Sequence, residues 1–205
     1  MTAYWLNVLW SMATQFYWEK ETGNLQLYLM APTSRMAILM GMALGGLVST
    51  SIRAVAILIV GSLIFGVHFT VVNWWQLILV FLFTMVALYG LGMLFSSLFL
   101  HFGREAWHLS SLLQEPIYFL SGFYFPIKSL GYWVSIGASI VPITLGLDAM
   151  RQLVMPSAKW GFLSVNEELG ILLVMSIVFV FVAHRALLYM ENLARRDGRL
   201  TIRGQ

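Results

Sequence analysis

The sequence predicts an all-α integral membrane protein. It reads as a helical bundle of about four spans with an amphipathic helix near its N-terminus and an outer re-entrant or interfacial hairpin. Three observations carry this. Of 205 residues, 60% are apolar or aromatic and 10% charged, against about 25% charged in a soluble domain. The mean hydropathy is +0.81, more apolar surface than a chain of this size can hide within itself. Four apolar stretches reach the length needed to span, roughly 20 residues for a hydrocarbon core of about 30 Å.

Residues 1–205 form one membrane domain, and its elements follow in order. Residues 1–18 read as a partial N-terminal span, because the apolar run Tyr4–Trp18 is too short to cross comfortably. Its aromatic clusters, Tyr4 with Trp5 and Phe16 with Tyr17 and Trp18, suit interfacial positions. A secretory signal peptide fits poorly, since no basic region precedes the apolar run and no small-residue cleavage site follows.

Residues 19–35 read as a helix along the membrane surface. At about 100° per residue, Trp18, Thr22, Leu25 and Leu29 gather on one side, while Glu19, Lys20, Gly23 and Asn24 lie largely opposite. Leu27 and Met30 fall on the polar side, beyond lipid cover, and are candidates for contact with a cytoplasmic partner. A surface-lying linker without a partner is the plainer reading. Pro32 ends the element and Arg35 marks the interface.

Residues 36–125 hold three spans: Met36 to about Val67, Trp74 to about Leu100, and Ala106 to Phe125. Arg53 lies 17 residues into the first, where it either lines a passage, meets an anionic head group or snorkels from a tilted helix. Gly41, Gly45, Gly46, Gly90 and Gly92 permit close helix approach. In the third span, Pro116 frees a backbone carbonyl next to Gln114 and Glu115. Glu115 is the best candidate for a buried carboxylate, serving passage or gating, or else only stabilising the kink or pairing with Arg53 or a histidine.

Residues 126–168 form an outer segment whose stretch Tyr132–Leu147 is broken by Gly137, Pro142 and Gly146, which favours a re-entrant or interfacial hairpin over a crossing. Leu169–Met190 is the last span, and 191–205 a tail. That tail carries Arg195, Arg196, Arg199 and Arg203, which places it in the cytoplasm by the positive-inside bias. Counting back puts 19–35 and Arg104 inside, and 68–74 and 126–168 outside. Lys128, Arg151 and Lys159 run against that bias, though longer external segments obey it less strictly. The aromatics Trp74, Trp75, Tyr124, Tyr132, Trp133 and Trp160 suit an outer interfacial belt.

The run Glu19-Lys20-Glu21-Thr22-Gly23-Asn24-Leu25, with Leu27 and Pro32 following, resembles the E-x-E-x-G-T-L-E…P element of permease subunits of type-2 ABC exporters. Asn24 stands for the usual Thr and Gln26 for the usual Glu, with one negative charge fewer. Ser121-Gly122-Phe123-Tyr124-Phe125-Pro126 resembles the family's S-G-x-x-F-P. Pro142-Ile143-Thr144, with Asp148-Ala149 and Arg151, resembles its P-L-T…D-A-x-R segment.

The resemblance implies that 19–32 is a coupling helix seated in a groove of a cytoplasmic ATPase subunit. It also implies short helices dipping into the outer leaflet between the two later motifs. The family normally has six spans and this chain supplies four. The chain is then an N-terminally shortened version, is completed by another polypeptide, or is defective. The implied function is that of a permease moving a drug, lipid or polysaccharide-type substrate across the cytoplasmic membrane. It would work by alternating access, as a homodimer or heterodimer of permeases among membrane lipids.

No G-x-x-x-x-G-K-[ST] phosphate cradle is present, so no cofactor is expected on this chain, and ATP with magnesium belongs to the partner subunit. The absence of cysteine excludes disulfides, thiolate metal sites and a cysteine nucleophile. His101 and His108 are seven apart without an H-E-x-x-H pattern, and no metal site is expected. The basic residues are scattered except near the C-terminus, which argues against nucleic acid. Two rival readings are an intramembrane enzyme using Glu115 with His101 or His108, and a non-transporting membrane scaffold.

Overall fold

A chain segment in lipid has no water to satisfy its amides, so it must satisfy them within itself, and every regular element among the described residues is helical. The computed structural model describes residues 2–8, 22, 35–66, 71–102, 105–155 and 161–196. The surface helix expected at 19–35 therefore lies outside the described residues except for Thr22 and Arg35, as do Trp160 and the tail beyond Arg196.

The helices are α1 (Thr2–Leu6), α2 (Arg35–Phe65), α3 (Trp74–Phe102), α4 (Glu105–Leu120), α5 (Tyr132–Ala138), α6 (Pro142–Val154) and α7 (Val165–Arg196), with a 3-10 turn at Ile127–Leu130. Their starts follow local chemistry. Asn73 Oδ1 accepts from the amides of Trp75 at 3.0 Å and Gln76 at 3.4 Å, capping α3. Pro142 opens α6, where its missing N–H has no intrahelical partner to lose. At the start of α7, Ser164 N and Oγ donate to Glu167 Oε2 at 2.9 and 2.8 Å, and Glu167 N returns to Ser164 Oγ at 3.4 Å, a reciprocal capping box.

Among the described residues, three helices are long and apolar enough to cross a membrane, Met40–Phe65, Trp74–Phe95 and Val165–Tyr189, or four if the bent pair Tyr132–Ala138 and Pro142–Val154 is one span. The chain is a multi-pass membrane protein. The stretch expected to cross at Ala106–Phe125 is helical only over the 16 residues of α4. At helical rise that is about 24 Å, short of the roughly 30 Å core. It stops because Ser121 and Gly122 turn the chain, Gly122 at φ +79°. The last helix begins earlier than the expected Leu169, at Val165, because the capping box nucleates it there.

Between these helices, α5 and α6 meet at 112° across a break of Ser139–Val141. The break falls within the Gly- and Pro-interrupted stretch, and such a bend fits either a re-entrant hairpin or a broken span. Gln76 Nε2 donates to Asn166 Oδ1 at 3.0 Å, and fourteen residues along α3, Gly90 touches Phe179 and Val180 of α7. Equal steps along both chains make α3 and α7 parallel and in register. Val72 N donates to Leu153 O at 3.1 Å, so the end of α6 sits at the same end of the bundle as the starts of α3 and α7.

The core lies where α3, α6 and α7 meet: Val80, Leu145, Ala149, Leu153 and Leu172 form one cluster, and Met85, Leu88, Ile143, Ala183 and Leu187 belong to another. Tyr4 and Trp5, expected at a membrane interface, are buried in that second cluster. Tyr4 OH lies 2.8 Å from Ser51 Oγ, and its ring meets Phe81 edge-on at 5.6 Å. Those two groups, one polar and one aromatic, satisfy the phenol inside the bundle as the head-group region otherwise would. The outward faces of α2 and α7 are rich in exposed Ile, Leu, Val and Phe, as lipid-facing helices require.

Candidate functional site: the re-entrant pair and its polar anchors

Most of α6 is buried, including Pro142, Thr144, Gly146 and Asp148, although the segment is too bent to cross as one helix. Gly146 makes this seat possible, because a Cβ there would collide with Thr84 of α3. Thr84 is itself fixed, its Oγ1 donating to Val80 O at 2.6 Å.

Two sequence motifs with 15 residues between them, Ser121–Pro126 and Pro142–Arg151, are joined through this helix. Arg151 Nη2 donates to the carbonyl of Gly122 at 2.9 Å. The positive φ of Gly122 turns the chain back, and a Cβ there would sit 3.2 Å from Phe125 O. Around it, Ser121 is buried and its amide donates to Ile117 O at 2.8 Å, closing α4. Phe125 stacks edge-on against Phe119 with ring centres 5.1 Å apart. Pro126 O accepts from Ser129 N at 3.0 Å and Ser129 Oγ at 2.6 Å, forming the 3-10 turn. Ser135 Oγ, reaching from α5, lies 2.8 Å from both Ile127 O and Gly131 O.

On the other side of α6, Asp148 Oδ2 accepts from Phe162 N at 2.8 Å and Gln152 Nε2 at 3.4 Å. Gln152 Nε2 also reaches Glu168 Oε2 at 3.2 Å and Leu163 O at 3.0 Å. One amide thus joins two buried carboxyl groups and the turn before α7. Asp148 Oδ1 and Glu168 Oε1 are buried without a hydrogen-bond partner. Such groups are costly to bury and pin the elements that carry them.

The deeply buried carboxyls are therefore Asp148 and Glu168, at 2% and 0% exposure. Glu115, expected to be the buried acid, is exposed on α4, its Oε1 accepting from Gln114 Nε2 at 3.4 Å. Among the described residues, α4 packs into the bundle through Tyr118, whose ring meets Phe123, rather than through Glu115, which faces outward. Pro116 is also exposed, and the helix continues through it to Leu120. Arg53 is exposed at the centre of Met40–Phe65. No ion pair joins Arg53 to Glu115.

Of the expected site residues, Ser121, Gly122, Phe125 and Pro126 form one turn that Arg151 ties to α6, Asp148 faces Phe162 and Gln152, and Pro142 lies at the opposite, buried start of α6. Glu19, Glu21, Gly23, Asn24, Leu25, Leu27, Met30 and Pro32 lie outside the described residues. Sequence reasoning missed Gln152 and Glu168. The S-x-x-E at Ser164–Glu167 was the signal that would have drawn Glu168 into the last helix. Among the described residues, no group of three His, Asp or Glu side chains converges as a metal ion would require.

No curated protein and no solved structure was found to match the chain. Residues 1–155 match the family model described as ABC-2 type transporter, a stretch running from α1 through the whole re-entrant pair, and the chain belongs to that family as a transmembrane component.

Proposed function

We propose that this chain is the permease subunit of an ATP-driven exporter in the cytoplasmic membrane, with its C-terminus in the cytoplasm. The observation that carries the reading is the family match over 1–155, which takes in both the segment 19–32 and the re-entrant pair. ATP and magnesium are bound by a separate cytoplasmic ATPase subunit, and two permeases, alike or different, enclose the passage. Closure of the ATPases moves 19–32, and that motion biases the bundle between inward- and outward-facing states. Such a shift requires contacts that differ between the two states.

Glu19, Glu21, Gly23, Asn24, Leu25, Leu27, Met30 and Pro32 are assigned to the ATPase contact. Arg53, Glu115 and Pro116 are assigned to passage or gating; the support is Arg53, a charge exposed at the middle of Met40–Phe65 that needs water, a partner chain or cargo beside it. Drug, lipid and polysaccharide-type cargo all remain within this reading.

The test is co-purification of the full chain with an ABC ATPase subunit from the same genome. The wild type should retain the ATPase and alter its turnover in reconstituted vesicles. Gly23→Asp and Leu27→Asp should release it while the permease stays in the membrane fraction. Retention of the ATPase by both variants would overturn the assignment of 19–32, and failure of every such ATPase to bind would overturn the exporter reading.

A further inference from the structure

Along the outside of the bundle, α3 and α7 leave an open groove of about 560 Å³ lined by Val86, Ser176, Ile177, Val180, Phe181 and His184. Its walls are apolar up to His184. Ser176 makes no polar demand on it, because its hydroxyl donates to Leu173 O at 2.7 Å. Ile177 and Phe181 are exposed, at 63% and 58%. At the far end from the capping box stands Arg185, exposed, with its guanidinium carbon 5.2 Å from the centre of the Phe181 ring. That cation–π contact holds the charge over the end of the groove.

The dimensions identify an occupant. From Ile177 to Arg185 is eight residues, about 12 Å of helix, close to the roughly 15 Å of one leaflet's hydrocarbon. Arg185 lies four residues before the end of the span Val165–Tyr189. Those four residues are about 6 Å of helix, within reach of an arginine extending to the head groups.

We infer that the α3–α7 groove binds an anionic phospholipid, its acyl chain along Val86, Ile177, Val180 and Phe181 and its phosphate at Arg185 beside His184. Guanidinium and phosphate form paired hydrogen bonds of matched geometry. An uncharged chain would fill the groove and leave Arg185 unused. The inference needs only that α7 spans a membrane, so it stands or falls separately from the exporter reading.

The chain has no cysteine, so Val174→Cys places a single fluorophore on α7 one turn from Ile177. The full chain in phosphatidylcholine vesicles is titrated with brominated phosphatidylglycerol or brominated phosphatidylcholine. Phosphatidylglycerol should half-quench the label at about a fivefold lower mole fraction, the factor corresponding to about 1 kcal/mol per basic residue near a membrane surface. Arg185→Gln should remove that preference and Arg185→Lys should keep most of it. Ile177→Trp, which fills the groove, should weaken quenching by both lipids. Equal quenching by the two lipids in the parent, or a preference surviving Arg185→Gln, would overturn the phosphate site. Quenching unchanged by Ile177→Trp, or a label shielded from both lipids by a second copy on this face, would overturn the groove.

Discussion

Replacing Gly146 by alanine tests the contact that seats the re-entrant pair. The added Cβ would fall 2.8 Å from Thr84 Cβ and closer still to Oγ1 and Cγ2. Thr84 is fully buried and its hydroxyl is committed to Val80 O, so it has no room to swing aside. The helices α3 and α6 must separate, at an overpacking cost of about 1–3 kcal/mol. At about 2–4 °C per kcal/mol for a chain of this size, Gly146→Ala should melt about 2–12 °C lower. Thermal unfolding in a fixed detergent, followed by intrinsic fluorescence, measures this. Adding Thr84→Ala removes Oγ1 and Cγ2 and leaves only the 2.8 Å contact, so the double variant should recover at least half of the loss. Gly137→Ala is the control: nothing lies within 4 Å of a Cβ there, and its melting point should not fall. Gly146→Ala melting with the parent, or a double variant no better than the sum of the singles, would refute the close-approach argument.

The remaining predictions concern the polar anchors. Arg151→Gln should lose the charged bond to Gly122 O, costing about 1.5–3 kcal/mol, read as a lower melting temperature and faster proteolysis within 121–131. Asp148→Leu leaves the Phe162 amide without its acceptor, a loss of about 1–3 kcal/mol, whereas Asp148→Asn keeps an acceptor oxygen. Hydrogen exchange at Phe162 should rise in the first variant and stay near parent in the second. Ser164→Ala removes one half of the box that starts α7 and should cost about 1 kcal/mol, seen as faster amide exchange over residues 165–168.

Hydropathy made the long helices legible because lipid imposes length and composition together. It was less informative about ends. Ala106–Phe125 is apolar throughout, yet α4 stops at Leu120 because Gly122 takes a positive φ and Arg151, 29 residues later, grips its carbonyl. Nothing local encodes that second partner. The start of α7 was legible in Ser164 and Glu167, but a reading by hydropathy treats two adjacent acids as outside the span and passes over their capping role. The same habit singled out Glu115, a lone acid in an apolar run. The buried acids Asp148 and Glu168 lie 20 residues apart on different helices and come together around Gln152. Tyr4 and Trp5 had an interfacial composition, and only tertiary partners, Ser51 and Phe81 for Tyr4, show that they are core.

The unequal packing of the bundle constrains how it can move. In lipid, separating two apolar helices costs packing rather than hydration, and separating a buried polar network costs its hydrogen bonds outright. α3, α6 and α7 share both kinds of contact: Leu88, Leu145 and Leu172 have no exposed surface, Gly90 and Gly146 bring the backbones close, and Gln152 joins Asp148 to Glu168. Taking this block apart would leave several polar groups unsatisfied in hydrocarbon. Among the described residues α2 is held by fewer polar ties: Tyr4 of α1 meets Ser51, Ala43 shares a buried cluster with Met85 and Tyr89 of α3, and most of its length is exposed. A rearrangement that keeps these hydrogen bonds is therefore expected to displace α2 sooner than α3, α6 or α7. α2 also follows directly after residues 19–32, so under the proposed coupling role of that segment its displacement would reach the bundle first at α2.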